Sequence, residues 1–506
     1  MVAPLLLLPV GLRAAEASCA SGNSQQTAAL VGEFEPQGVD VGSWSKTIKP
    51  GDDFFAFVNE GWSTSTKIPE GYWDYGQTSI LAATVEGQIK ELLERSLTSR
   101  SPRGTAGQQV GDAYASFLDT AEIERRGTLN LQADIKAILE SATREDIARW
   151  MADPTSSSII AINVFPAEQQ WRVHLDQQNL AQPMLGLSTP DSYSRTDGSY
   201  PAGREAYKTY VATVLEKAGV DHAAVRAERL LALETKIAGN FWSPEKLRDR
   251  KANYHPMTVE QLAAYAPGFP WPAFLAARGV DGESDIVLGT DTAVQQQAKL
   301  LADTPLDDWK SYLAFHWVQN QMDVLPADFR QASWEFRGKM LSHAKAPPTR
   351  EEVALRLVSG ALGQQVGRLY SERYVSDQTK ASAEELIAYL RKAFAERLTK
   401  TTWIDEGTRA EALAKLERLA FKVGYPKIWR DFSRLEITRD DAAGNLRRIR
   451  EADWEYQRRR LDPTSKDEPW YQTPQTVDAS YSVLFNAVEL PGAFLQSPYF
   501  DANADP

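Results

Sequence analysis

One cysteine in 506 residues, Cys19, leaves no pair for a disulfide framework and no set of thiolates for a metal. The histidines are as sparse: His174, His222, His255, His316 and His343. None is followed by glutamate and no two stand at a metal-ligand spacing. H-E-x-x-H, whose two histidines at i and i+4 face one metal, is therefore absent. There is no G-x-S-x-G elbow, no P-loop and no dinucleotide fingerprint, which removes the nucleophilic-serine, nucleotide-phosphate and hydride-transfer readings. An excess of positive charge is also missing. With 68 acidic against 56 basic residues the net charge is −12, a surface that repels phosphate backbones and excludes a nucleic-acid partner or a polybasic membrane contact. No apolar run beyond the first residues approaches the roughly 20 needed to span a bilayer. What remains is 43% apolar and 25% charged, the composition of a globular protein long enough for two or three domains.

The chain opens on "MVAPLLLLPVGLRAAEASCASGN", whose apolar run Leu5 to Leu12 and small residues resemble an export leader over residues 1–22, without the usual basic n-region. Cys19 stands where a bacterial lipoprotein carries its lipidated cysteine, although Glu16 departs from that pattern. Residues 23–43 have no sustained period and read as a linker; order is expected from Trp44. From there the periodicity is helical. Leu81, Val85, Ile89 and Leu92 share one face, as do Leu230, Leu233 and Ile237 ahead of a stop at Asn240. "SAEELIAYLRKAFAERL" is expected to begin with a capping box, Ser382 with Glu385, and to bury Leu386, Leu390, Phe394 and Leu398. Asp52 and Asp53 in "PGDDFF" read as turn and cap residues, the "RRR" at Arg458 to Arg460 as a solvated helix face, and His316 as a buried or half-buried helix histidine. Only near the end does the period change: Val477, Ala479, Tyr481 and Val483 alternate with polar residues, and "NAVELP" follows, so a hairpin ending at Pro491 is expected.

Separated segments then carry a resemblance. "KPGDDFFAFVNEGWSTSTKIPEGYWDYGQTSIL", "GDAYASFLDTAEIERRG", "LALETKIAGNFWSPEKLRD", "YHPMTVEQLAAYAPGFPW", "GALGQQVGRLYSERYV", "LAFKVGYPKIWRDFSRLEI" and "PQTVDASYSVLFNAVELPGAFLQSPYFD" resemble, in order, the neprilysin and endothelin-converting-enzyme family of zinc metalloendopeptidases. The resemblance implies a mainly α, large multi-helical neprilysin-like fold with a small β element at the C-terminal end. It implies a helical region over 44–460, a linker over 461–475, and over 476–506 the start of a thermolysin-like catalytic domain. Asp478 and Ala479 fall on the Asn-Ala pair of the family's edge strand, so they are the expected substrate-binding residues, and a peptide backbone is held there by strand addition.

The family's zinc ligands and catalytic glutamate match no residue of this chain: catalytic residues, none; metal ligands, none. Zinc is the cofactor of the full-length family, peptides are its substrates, and this chain alone is expected to bind no zinc and to hydrolyse nothing, as a segment that stops before the metal site. The loss of neighbours is expected to expose apolar surface around Lys49 to Leu97 and the hairpin. A non-catalytic peptide-binding pseudopeptidase and an extracellular helical scaffold are the other two readings. Several positions depart from the family pattern. Asp478 replaces an asparagine, and a carboxylate accepts but does not donate. Ser480 replaces an aromatic residue, Glu489 stands in a normally apolar strand, and Asp74 stands where some members hold a substrate carboxylate with arginine. Val58 and Phe117 occupy positions of cysteines in animal members, which implies an exported bacterial protein, periplasmic or secreted.

Overall fold

A computed structural model describes residues 41–69, 75–167, 170–177, 184–465 and 470–503. The leader at 1–22, most of the 23–43 linker, Asp74 and part of the 461–475 linker lie outside the described residues. The chain is mainly helical and divides into two compact units. One takes in Met1–Ala115, Pro348–Arg434 and Glu468–Pro506; the other takes in Ser116–Pro347 and Leu435–Asp467. No helix among the described residues is long and apolar enough to cross a membrane.

In the first unit the helix Phe54–Ser65 begins where Asp53 accepts the Ala56 N–H at 2.8 Å, the cap its sequence announces. Helix Gln77–Thr98 buries Leu81, Val85, Ile89 and Leu92 at the expected spacing. Its Gln88 is tied into a closed set of bonds. Tyr370 of helix Gly363–Tyr374 donates to Gln88 Oε1 at 2.6 Å, Gln88 Nε2 donates to Gln496 Oε1 at 2.9 Å, and Gln496 Nε2 donates to the Tyr370 hydroxyl at 2.7 Å. Two helices and the C-terminal segment are thereby locked in one register.

Helix Asp377–Lys400 corrects two expectations. It starts earlier than Ser382, with Ser376 as the cap accepting the Thr379 N–H at 3.0 Å, so Ser382 and Glu385 lie inside the helix rather than in a capping box. The "SERYVSDQTK" turn supplies the earlier start, because Ser376 meets the first free amides before Ser382 can. The stripe is also exposed: Leu386 is 49%, Leu390 47% and Phe394 59% accessible, while Ala383 and Ile387 are the residues buried. Of the eighteen large apolar side chains exposed among the described residues, all but Leu129, Val225 and Leu341 belong to this unit.

Sequence periodicity shows only the C-terminal hairpin, but the structure pairs it with a third strand. Strands β5 (Ala420–Gly424), β6 (Ser480–Ser482) and β7 (Ala487–Pro491) form a sheet in the order β5-β7-β6, with β5 parallel and β6 antiparallel to β7. The second unit holds a further sheet that the sequence pattern did not reveal. It contains β1 (Ala161–Ala167), β2 (Gln170–Asp176), β3 (His255–Thr258) and β4 (Asp285–Leu288) in the order β1-β2-β4-β3. These strands are short, and β4 with the front of β1 is buried almost without alternation, so no period of two stands out.

Around that sheet lies the main core of the second unit, with Trp271, Trp309, Trp317, Tyr207 and Tyr312 almost fully buried. At its centre Glu234, fully buried on helix Ala223–Gly239, accepts from His316 Nε2 at 2.7 Å, the Tyr193 hydroxyl at 2.7 Å and the Tyr207 hydroxyl at 3.1 Å. A buried carboxylate is tolerable only when its lone pairs are filled in this way. His316 is thus a core histidine, and burial, helped by the nearby Glu234 carboxylate, pushes the Tyr193 and Tyr207 hydroxyls well above the usual tyrosine range.

Two outcomes are expected. Burial depresses the pKa of His174, on β2, from 6.5 to about 4. The unfolded chain therefore binds the extra proton first, and stability falls as pH drops from 6.5 towards 4. His174→Gln should remove up to about 3 kcal/mol of that pH dependence in urea titrations at both ends of the window; an unchanged slope contradicts it. Because Leu386, Leu390 and Phe394 are exposed, replacing all three with serine should change unfolding free energy by only about 1 kcal/mol while lowering binding of an apolar dye; a loss of several kcal/mol would mean that the stripe is core.

Candidate functional site

The three-stranded sheet positions the residues singled out for peptide binding. β7 is its centre, and alternate residues of β7 point to opposite faces. On one face the cluster of Ala383, Ile387, Val423 and Leu495 gathers the partly buried Phe421 and Leu490. On the other, Glu489 is fully buried. The register sets Glu489 between Lys422 of β5 and Ser480 of β6, so a lysine, a carboxylate and a hydroxyl residue form one row across the sheet.

Glu489 is satisfied. Lys422 Nζ donates to its Oε1 at 3.1 Å, the Tyr471 N–H to Oε2 at 3.0 Å, and the Gln472 N–H to Oε2 at 3.1 Å. An acidic residue in an apolar strand is here the anchor of the segment entering the hairpin. Gln472, fixed by its backbone, turns its Nε2 towards Asp478 Oδ2 at 3.4 Å, and the other carboxylate oxygen accepts the Ala479 N–H at 2.8 Å. A chain of contacts thus runs from the sheet interior through Gln472 to Asp478.

Asp478 and Ala479 immediately precede β6, which is an edge of the sheet among the described residues. The strand expected from Val477 to Val483 is shorter, and its pairing gives the reason. Ser480 faces Glu489, so the antiparallel register would set Asp478 against Pro491, which has no N–H to extend the ladder. At the far end the hairpin turns through Asn486, which adopts φ 45°. Its Oδ1 accepts from the Tyr481 hydroxyl at 3.0 Å, and its Nδ2 donates to Lys415 O at 3.1 Å. Phe485 packs on Tyr471 with ring centroids 5.3 Å apart, joining the turn to the Glu489-held segment.

The histidines do not converge. His174 is half-buried and His316 buried in the second unit, His222 and His343 take left-handed backbone conformations with φ 58° and 51°, and His255 bonds through Nε2 to Ala252 O at 3.0 Å. Among the described residues no three His, Cys, Asp or Glu side chains group as a metal site, so they do not fit a zinc ion, which takes at least three protein donors. Sequence reading singled out Asp478 and Ala479 as the expected substrate-binding residues and Glu489 as an oddity, but did not single out Lys422 or Gln472. The alternation in "AFKVG" was the one available signal for Lys422.

Glu489→Leu should cost about 3–5 kcal/mol, because it strips two amides and Lys422 of their carboxylate. Adding Lys422→Leu should recover part of that loss in chemical denaturation. A double variant that loses the sum of both single effects would show that the two side chains are not coupled.

The profile of Peptidase family M13 matches residues 50–426. Neprilysin-3 of Drosophila melanogaster is 25% identical over 491 residues, covering 90% of this chain and 62% of that protein. Human endothelin-converting enzyme 1 is 25% identical over 485 residues, covering 91% and 62%. The chain thus spans about three fifths of the length of the curated relatives it matches. Among solved structures, the Mycobacterium tuberculosis zinc metalloprotease ZMP1, in complex with an inhibitor, superposes with a TM-score of 0.84 at 29% identity, covering 93% of this chain and 72% of that one. PepO from Lactobacillus rhamnosis, at 17% identity and a TM-score of 0.74, shares the fold. With its mainly helical architecture and a family match across three quarters of its length, the chain belongs to Peptidase family M13.

Proposed function

We propose that this chain is the peptide-holding and helical part of a neprilysin-like zinc metalloendopeptidase, and that alone it binds peptides without cleaving them. The observation behind this reading is the edge strand β6, flanked by Asp478 and Ala479 and fixed from inside the sheet by Glu489 and Gln472. An extended peptide laid along such an edge gains main-chain hydrogen bonds, and its alternate side chains fall on the two faces. The 476–506 segment is read as the start of the catalytic domain and 44–460 as the helical region.

Peptide-bond hydrolysis in the full-length family is the work of zinc, whose donors the described residues do not supply, so no bond-breaking step is assigned to a residue of this chain. What these residues do is hold a backbone. Asp478 commits one carboxylate oxygen to Ala479 N–H and offers acceptors only, so a ligand must bring its own N–H to this point. The non-catalytic peptide binder is supported by the same pairing of an edge without a donor set. Export, to the periplasm or beyond, rests on the apolar opening run Leu5 to Leu12 and belongs to this proposal.

Calorimetric titration of an extended peptide, with zinc and with a chelator, tests both halves. Zinc-independent binding without turnover of a quenched fluorescent peptide is expected. Asp478→Asn, which restores a donor, should tighten binding about 2- to 10-fold. Chelator-sensitive cleavage would overturn the inactivity, and an affinity indifferent to position 478 would overturn the site.

A further inference from the structure

The first unit contains a cavity of about 600 Å³, a volume in the range of small-molecule sites. Every residue lining it belongs to that unit, and none belongs to the three-stranded sheet. Its walls are the 101–105 turn with the start of helix Ala106–Leu118, one face of helix Gly363–Tyr374, and the 429–433 segment.

Local sequence shapes each wall. Gly104 turns the chain at φ 81°, and a side chain at Gly107 would come within 2.7 Å of Ser101 Oγ, so glycine there lets the turn fold back on the start of the helix. Gln109 Nε2 donates to Phe432 O at 2.7 Å, and Gln365 Nε2 reaches Gln109 Oε1 at 3.4 Å. Two amide side chains thereby join the three walls. Trp429 lies parallel to Tyr425, with ring centroids 6.4 Å apart and planes 12° apart, which sets the plane of its indole.

The lining is balanced in charge, Arg368 and Arg430 against Glu372 and Asp431, so it selects neither an anion nor a cation. Its unmet hydrogen-bonding capacity is of both kinds. Gln365 is only 4% exposed, yet its Oε1 has no donor. The Ala106 and Gly107 amides stand in the first helical turn, where no carbonyl of their own helix can meet them. An anion would leave Gln365 Oε1 unanswered, and a cation would leave the amides so. A hydroxyl answers both, because it donates and accepts. The half-buried rings of Trp429 and Phe432 add apolar surface to the same cavity, suited to the C–H face of a sugar ring. We infer that this cavity binds a neutral saccharide of one or two pyranose rings.

Calorimetric titration with cellobiose, maltose and N,N′-diacetylchitobiose, and separately with inorganic phosphate, tests the inference on the full chain. Saturable one-to-one binding of at least one of the three sugars is expected, with slowed amide exchange in the 101–109 and 429–433 segments. Trp429→Ala should weaken that binding about 10-fold, and Gln365→Leu about 2- to 10-fold. Trp403→Ala, which removes an exposed ring outside the cavity, should leave it unchanged. No binding of any of the three at millimolar concentration, tighter binding of phosphate, or exchange protection elsewhere in the chain would overturn the site. The exchange measurement on the wild-type protein decides the matter even where a variant fails to fold.

Discussion

The buried carboxylate of Glu489 is the constraint on which the candidate site depends. A charge in the middle of a sheet is tolerable only if its surroundings are arranged to meet it, and three groups are: the Lys422 ammonium on β5 and the backbone amides of Tyr471 and Gln472. They come from two distant parts of the chain, β5 and the segment that enters the hairpin. Satisfying Glu489 therefore fixes β5 against β7 and sets the path by which the chain enters the hairpin. That path in turn places Gln472 against Asp478. A single apolar residue at 489 would pack into a sheet as well, but would leave the entering segment unspecified.

The two units handle their apolar surface differently. The second is closed, with its aromatic residues buried around a sheet and a filled polar cluster at Glu234. The first carries nearly all of the exposed large apolar side chains, including Phe54, Phe55 and Trp403 as well as the stripe of helix Asp377–Lys400. An open strand edge accompanies them. Exposed apolar side chains beside an open strand edge are features on which a partner can dock. In a chain of Peptidase family M13 that spans about three fifths of its curated relatives, a peptide on β6 is one cover that the proposed function supplies.

Much of the fold was legible because it rests on local pattern. Leu81, Val85, Ile89 and Leu92 announced a buried face, Asp53 a cap, and Asn240 a stop, and all three follow from spacing that a single helix enforces. The stripe at Leu386, Leu390 and Phe394 was equally regular and is exposed, because periodicity identifies an apolar face but not what lies against it. The four-stranded sheet was missed for the opposite reason: its strands are short and join residues far apart in sequence, as when β2 pairs with β4. Of the site, Asp478 and Ala479 were reached through resemblance, and Glu489 was noticed as an anomaly. Its meaning needed the parallel pairing with β5, which no local period encodes.

Amide hydrogen exchange at Tyr471 and Gln472 reads the Glu489 clamp most directly. Both amides lie outside regular strands and donate to the buried carboxylate, so their protection reports on it. If the clamp organises the site, they exchange as slowly as the β7 amides, and Glu489→Leu releases them to loop rates. If they exchange at loop rates in the wild-type chain, Glu489 does not hold this segment, and the path from the sheet to Asp478 is lost with it.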